Sequence, residues 1–245
     1  MAARDYGQYG GVARAVELVG ERWALLIVRD LLVGPRRYGE LAAGLPRIPS
    51  NILATRLKEL QAAGIIRRAP RSRIVIYELT PYGRELEPIV LGLAAWGLGA
   101  LEHPRDEQVI TPDSMTIDLR SAFRANVALE LPPTAYAARL DADELLIRVD
   151  GPRLEVNRGA GPADLSFAAG PGIHRLIAGE LDAPRAIATG AVEVLGAATT
   201  CSSASRAPSA SPPEVPGPSA ARRPTPTLCG CAPRVPCASR AAHVP

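Results

Sequence analysis

The first 200 residues of this 245-residue chain contain no cysteine; Cys201, Cys229, Cys231 and Cys237 all fall near the end. No disulfide framework therefore supports the apparent core. Cys229-Gly230-Cys231 with Cys237 supplies three thiols and no fourth ligand at a usual spacing, a poor zinc pattern. Histidine is as scarce. His103, His174 and His243 have no carboxylate at a telling spacing, so no catalytic constellation forms and the chain is read as a non-enzyme without cofactor. Asp141, Asp143 and Glu144 lack a neighbouring His or Cys and read as a solvated turn rather than a metal site. No apolar run approaches the ~20 residues of a membrane span. Arg4 and Asp5 lead into an amphipathic segment rather than a signal peptide, which leaves a cytoplasmic protein as the expectation.

Lysine is nearly absent too. Lys58 is the only one among 28 basic residues. Charge is unevenly spread: residues 1–103 hold 14 basic and 10 acidic side chains, residues 104–196 hold 9 and 14, and residues 197–245 hold 5 and 1. A basic front and an acidic middle imply two domains with different partners.

Apolar periodicity then places the elements. Val12, Ala15, Val16 and Val19 share one helical face; Trp23, Leu26, Ile27, Asp30 and Leu31 recur in the next segment until Gly34-Pro35 stops it. Tyr38–Gly44 is a short third helix, followed by the turn Leu45–Pro49 and a fourth helix carrying Ile52, Leu53, Leu57 and Leu60. Ile65–Arg68 and Ile74–Leu79 read as a hairpin, and Thr80 caps a long helix through about Leu101. Helices, hairpin and a further helix in this order make a winged helix-turn-helix, with the steep turn before the fourth helix as its best marker. Trp23 and Trp96 sit on apolar faces and read as core or dimer packing.

Beyond a linker at 104–112, a helix is expected over Ile117–Leu129. Strands follow at Ala135–Leu140, Glu144–Val149, Arg153–Asn157, Ala163–Ala168 and Ala191–Leu195, with a helix at Gly172–Ala178. The fold class is α+β: a winged helix domain over 1–103, then a smaller α+β lobe over 113–196 with a mostly antiparallel sheet. From Ala197 onward the chain is rich in Pro, Ser and Ala and reads as a disordered tail, either ordinary or the product of a shifted reading frame. Without a closing helix, the apolar sheet residues Leu145, Ile147, Val192 and Val194 are expected to be left uncovered.

Arg36 to Arg73 is the most informative stretch, with nine basic residues against Glu40 and Glu59. A DNA face needs this excess because neutralising phosphates releases condensed counterions. The candidate DNA-binding residues are Arg36, Arg37, Ser50, Asn51, Thr55, Arg56, Lys58, Arg68, Arg71 and Arg73. Ser50, Asn51, Thr55 and Arg56 lie on the polar face of the fourth helix. Asn51 and Arg56 offer paired hydrogen bonds to base edges, while Ser50 either caps the helix or meets a base. Arg71 and Arg73 stand at the wing tip, placed for backbone or minor-groove contact.

These strings resemble the HxlR-type winged helix regulators of bacteria. The resemblance is carried by Gly20-Glu21-Arg22-Trp23, Leu26–Leu32, Gly34–Leu41, Arg56–Leu60 leading to Gly64, and Tyr77-Glu78-Leu79-Thr80-Pro81-Tyr82-Gly83. It implies a homodimer formed by terminal helices and bound to an inverted-repeat operator in double-stranded DNA. Many members carry a cysteine just before the first helix; Gly10-Gly11 stands there, which excludes thiol sensing at this position. The acidic middle resembles the sterol-carrier-like fold through Glu144–Gly151, Ala163–Phe167 and Ala188–Gly196, which implies an apolar cavity for a small effector. The alternative reading is a small-molecule or lipid carrier with a helical interaction domain; the basic stretch separates the two, since a carrier does not need it.

Overall fold

The structure, a computed structural model, describes residues 5–102, 105, 107–170 and 172–197. The tail from residue 198, with its four cysteines and His243, lies outside the described residues, as does His103.

The front half contains α1 (Gly11–Val19), α2 (Ala24–Val33), α3 (Tyr38–Gly44), α4 (Ser50–Ala62), β1 (Ile66–Arg71), β2 (Ile74–Leu79), α5 (Pro81–Arg84) and α6 (Glu87–Leu98). Its core forms where the apolar faces meet: Ile27, Val28 and Leu31 of α2, Leu41 of α3, Leu53, Leu57 and Leu60 of α4, and Ile65 and Leu79 at the root of the hairpin are all buried. The hairpin closes over Ser72 and Arg73, with Ser72 in the left-handed region at φ 55°.

The long helix expected after Thr80 is broken in two. Pro88 sits in the first turn of α6. It has no N–H to donate, and its ring would clash with the carbonyl four residues earlier, so the helix restarts there. Thr80 does cap α5, its hydroxyl accepting from the Gly83 N–H at 3.0 Å. Gly83 has no room for a side chain: a Cβ there would lie 2.0 Å from the carbonyl oxygen of Ile65. Gly83→Ala must therefore push α5 off the hairpin root, and we expect a loss of about 3 kcal/mol or more, read as a fall in the denaturation midpoint.

The second half contains α7 (Pro112–Ala122), α8 (Ala125–Ala128), β3 (Thr134–Leu140), β4 (Asp143–Asp150), β5 (Arg153–Arg158), β6 (Leu165–Ala169), α9 (Ile173–Ile177), α10 (Ala183–Ala188) and β7 (Val192–Ala197). The five strands lie in the order β5-β4-β3-β6-β7; only β3 and β6 run parallel. Asp141, at φ 49°, turns the chain between β3 and β4. The helix expected over Ile117–Leu129 instead starts at Pro112, where the Thr111 hydroxyl accepts from the Ser114 N–H, and breaks at extended Phe123 and Arg124 before α8. Sequence reasoning missed α10, although Asp182 caps it by accepting from the Arg185 N–H at 2.9 Å and Pro184 occupies its first turn.

The sheet face expected to be uncovered is largely covered. Leu145, Ile147 and Val192 are buried in a cluster with Met115 of α7, Ile173 of α9 and Ala186 of α10; Val194 remains exposed. The helices preceding β7 thus do the covering that was expected of a helix after it.

α7 belongs to both halves. Ile117 enters the front core and Met115, two residues away, enters the second. The seam beside it holds buried charge. Arg36 donates from Nε and Nη2 to both carboxylate oxygens of Asp113, at 3.1 and 2.7 Å. Arg29 pairs with Asp30 at 2.7 Å, and Asp30 is only 1% exposed. Burial pushes the Asp30 carboxyl up to about 6, against the opposing charge and hydrogen bond of Arg29. Burial raises Asp118 to about 6 as well, again opposed by Arg29. A carboxyl raised in the folded state takes up protons on folding. Its contribution is fully present below the ordinary carboxylate range and is lost as pH rises through about 6. Asp30→Asn is therefore expected to be more stable than the parent at pH 7 and to lose part of the decline between pH 4 and 6, measured by urea denaturation across that range.

Candidate nucleic-acid interface

α3, the turn and α4 are tied to one another and to the hairpin by specific bonds. The Arg37 N–H donates to the Glu40 carboxylate at 2.6 Å and fixes the start of α3. Tyr38 then donates its hydroxyl to the Ser50 carbonyl at 2.8 Å, joining the beginnings of α3 and α4. Arg36 and Tyr77 exchange backbone hydrogen bonds of 3.0 and 2.7 Å, which add a third strand-like segment to the hairpin. The turn into α4 ends on Pro49 in extended geometry, and this proline, not Ser50, is the residue flanking the helix start. Ser50 is the first helical residue, exposed, with its carbonyl engaged by Tyr38.

The predicted residues divide by what already occupies them. Asn51, Thr55 and Lys58 follow one another at four and three residues along α4, opposite the buried Leu53, Leu57 and Leu60. Asn51 and Lys58 are exposed, while the Thr55 hydroxyl donates back to the Asn51 carbonyl at 2.8 Å. Arg37, Lys58, Arg68 and Arg73 have no ion-pair partner among the described residues. Arg71 lies 3.7 Å from Glu78, and Arg67 holds the same carboxylate at 2.7 Å. Both arginine side chains are well exposed, so these contacts restrain them only weakly.

Arg36 and Arg56 are different. The Arg56 side chain is 13% exposed and clamped between Glu21, at 2.9 Å, and Glu59. It ties α4 to the segment before α2. Arg36 faces Asp113 of the second lobe; burial opposes its charge, but the hydrogen bond and field of Asp113 outweigh this and hold the guanidinium above its ordinary value. A count of formal charge treats these two like the rest, because it registers no partner 77 residues away.

A second surface is apolar. Val12 and Val16 on α1 and Ile89, Leu93 and Trp96 on α6 are all exposed, Trp96 at 77%. Trp23 is instead partly buried against the front core, with Arg22 5.1 Å above its ring.

Residues 18–105, from the end of α1 through the hairpin and α6, match the model of the HxlR-like helix-turn-helix family. The uncharacterised HTH-type transcriptional regulator YvaP of Bacillus subtilis is 38% identical over 86 residues, 34% of this chain and 80% of that protein. This chain belongs to the HxlR family. Rv3095 of Mycobacterium tuberculosis, another uncharacterised HTH-type transcriptional regulator, is 41% identical over 112 residues, 44% of this chain. The chain spans 65% of the length of that relative. The solved structure of the HTH-type transcriptional regulator ytcD is 37% identical and covers 38% of this chain and 97% of its own, with a TM-score of 0.36. The HxlR family and these relatives are helix-turn-helix regulators of transcription, not enzymes. Among the described residues no helix is long and apolar enough to cross a membrane.

Proposed function

We propose that this HxlR-family chain is a cytoplasmic DNA-binding transcriptional regulator that acts as a homodimer on an inverted-repeat operator. The observation that carries the reading is the set of exposed basic side chains around α4 and the hairpin, with Arg37, Lys58, Arg68 and Arg73 free of ion pairs among the described residues and standing beside exposed Asn51. Ser50 and Asn51 meet base edges at the start of α4; Arg37, Lys58, Arg68, Arg71 and Arg73 hold phosphates; Thr55 packs against the groove wall. Arg36 and Arg56 serve the interface indirectly, by fixing the hairpin and α4 in place.

A gel shift on the intergenic DNA beside the gene tests this. Binding should be specific and fall steeply with salt. Equal, weak binding to every sequence would leave the carrier alternative standing.

The dimer is read from the exposed apolar residues of α1 and α6, which are too many to be left in water on one small domain. Leu93→Asp should halve the molar mass seen by light scattering and abolish specific DNA binding. A parent protein that is monomeric at micromolar concentration would overturn the reading.

The second lobe is read as a sterol-carrier-like effector domain over residues 113–196, joined by a linker at 104–112. Its five-stranded sheet under short helices supports this reading. A small, largely apolar effector bound there biases DNA affinity through the buried seam at α7, provided that it binds the two states unequally.

A further inference from the structure

The seam between the halves contains a cavity that DNA binding does not use. Its volume is about 190 Å³, with walls that include Leu101, Val109, Ile173 and Ile177. Glu102, Gln108 and Ser114 also line it, and two further polar side chains come from opposite elements, Asp118 of α7 and His174 of α9.

Asp118 and His174 both lack partners among the described residues. The buried bases and acids of the seam pair as Arg36 with Asp113 and Arg29 with Asp30, and Asp118 is the acid left over, with no ion pair or side-chain hydrogen bond among the described residues. His174 Nε2 is buried without a hydrogen bond. Buried polar atoms are nearly always satisfied, so the bare His174 Nε2, on the wall of a cavity that the half-buried Asp118 carboxylate also lines, points to a polar group that this site is built to hold. Burial raises the Asp118 carboxyl, and the field of Arg29 opposes this only in part.

We propose that this cavity binds a small apolar amine, whose ammonium group pairs with Asp118 and donates to His174 Nε2. An ammonium carries three donors and no acceptor, which suits a carboxylate oxygen and an accepting imidazole nitrogen together. The apolar body lies against Ile173, Ile177, Val109 and Leu101. The cavity is smaller than the ~300–1,000 Å³ of drug-sized sites, which favours a short body over a sterol or long acyl chain. The charge excludes a carboxylic acid, which Asp118 would repel. A neighbouring cleft of about 340 Å³ shares Gln108, Val109 and Ser114 with the cavity and continues to Trp23 and Arg29. An occupant is thereby linked to α2; that consequence for DNA rests on the regulator reading, whereas the binding itself does not.

The test uses the full chain without DNA. Phenethylamine, 2-phenylethanol and 3-phenylpropionate share a body and differ in the head group. Calorimetric titration should show the amine binding about tenfold tighter than the alcohol, as a charge-assisted hydrogen bond allows, with no binding of the acid. Asp118→Asn should bring the amine down to the alcohol and leave the alcohol unchanged. Ile177→Trp, which fills the cavity, should remove both. Equal binding of amine and alcohol by the parent, binding of the acid, or an amine preference that survives Asp118→Asn would overturn the proposal, as would no binding at millimolar concentration. The comparison of ligands on the parent protein decides even if a variant does not fold. A gel shift without amine separates the two readings: intact DNA binding beside absent amine binding sinks only this one.

Discussion

Alanine at Lys58, Arg68 and Arg73 together is expected to remove operator binding at physiological salt while leaving the fold intact. None of the three is buried or ion-paired among the described residues, so their removal leaves no partner stranded. Each phosphate contact contributes about 0.9 to the slope of log affinity against log salt, so the triple variant should flatten that slope by nearly 3. The loss should be similar on operator and random DNA, because phosphate contacts carry position rather than sequence. Asn51→Ala should behave in the opposite way, costing about 1–3 kcal/mol on the operator and little elsewhere. The measurement is a fluorescence-anisotropy titration at several salt concentrations, with circular dichroism to verify folding. An unchanged salt slope in the triple variant would mean that the hairpin and the exposed stripe of α4 do not face DNA.

Arg56 sharpens this contrast. On the sequence it is indistinguishable from a base-reading arginine: it lies on the polar side of α4, three residues before Glu59, and belongs to the basic stretch. The structure shows it 13% exposed between two carboxylates. Glu21 comes from a different element, and no local pattern announces that pairing. The same holds for Arg36 and Asp113. What was legible depended on periodicity and punctuation: apolar spacing located α1 to α4, and Gly34-Pro35 marked the end of α2. Two signals were present but outweighed, Pro88 inside a strongly apolar helix and Asp182 with Pro184 at the start of α10. Partnerships between distant charges, and the resulting cavity beside α7, require the tertiary fold.

Breaking the Arg36–Asp113 pair from either side is expected to destabilise the chain by about 3–5 kcal/mol, because each single change leaves a buried charge without its counterpart. The two side chains are only 16% and 5% exposed, so solvent screens them little. The cost should not be the sum in the double variant. Replacing Arg36 by Met and Asp113 by Leu together removes both desolvation penalties and substitutes apolar contact, which often restores or exceeds the original stability. A double-mutant cycle by urea denaturation reads the coupling directly. DNA affinity should not follow stability in this cycle. Arg36 shares backbone bonds with Tyr77 of the hairpin and side-chain bonds with the first turn of α7, so the pair is a direct physical link from the second lobe to the candidate DNA-binding face. The Arg36→Met, Asp113→Leu variant should fold and bind DNA, yet respond less than the parent to whatever the second lobe binds. If it regains stability and keeps its full response, coupling travels by another route through α7, for which Arg120, hydrogen-bonded to the Leu32 carbonyl of α2 at 3.4 Å, is the next residue to change.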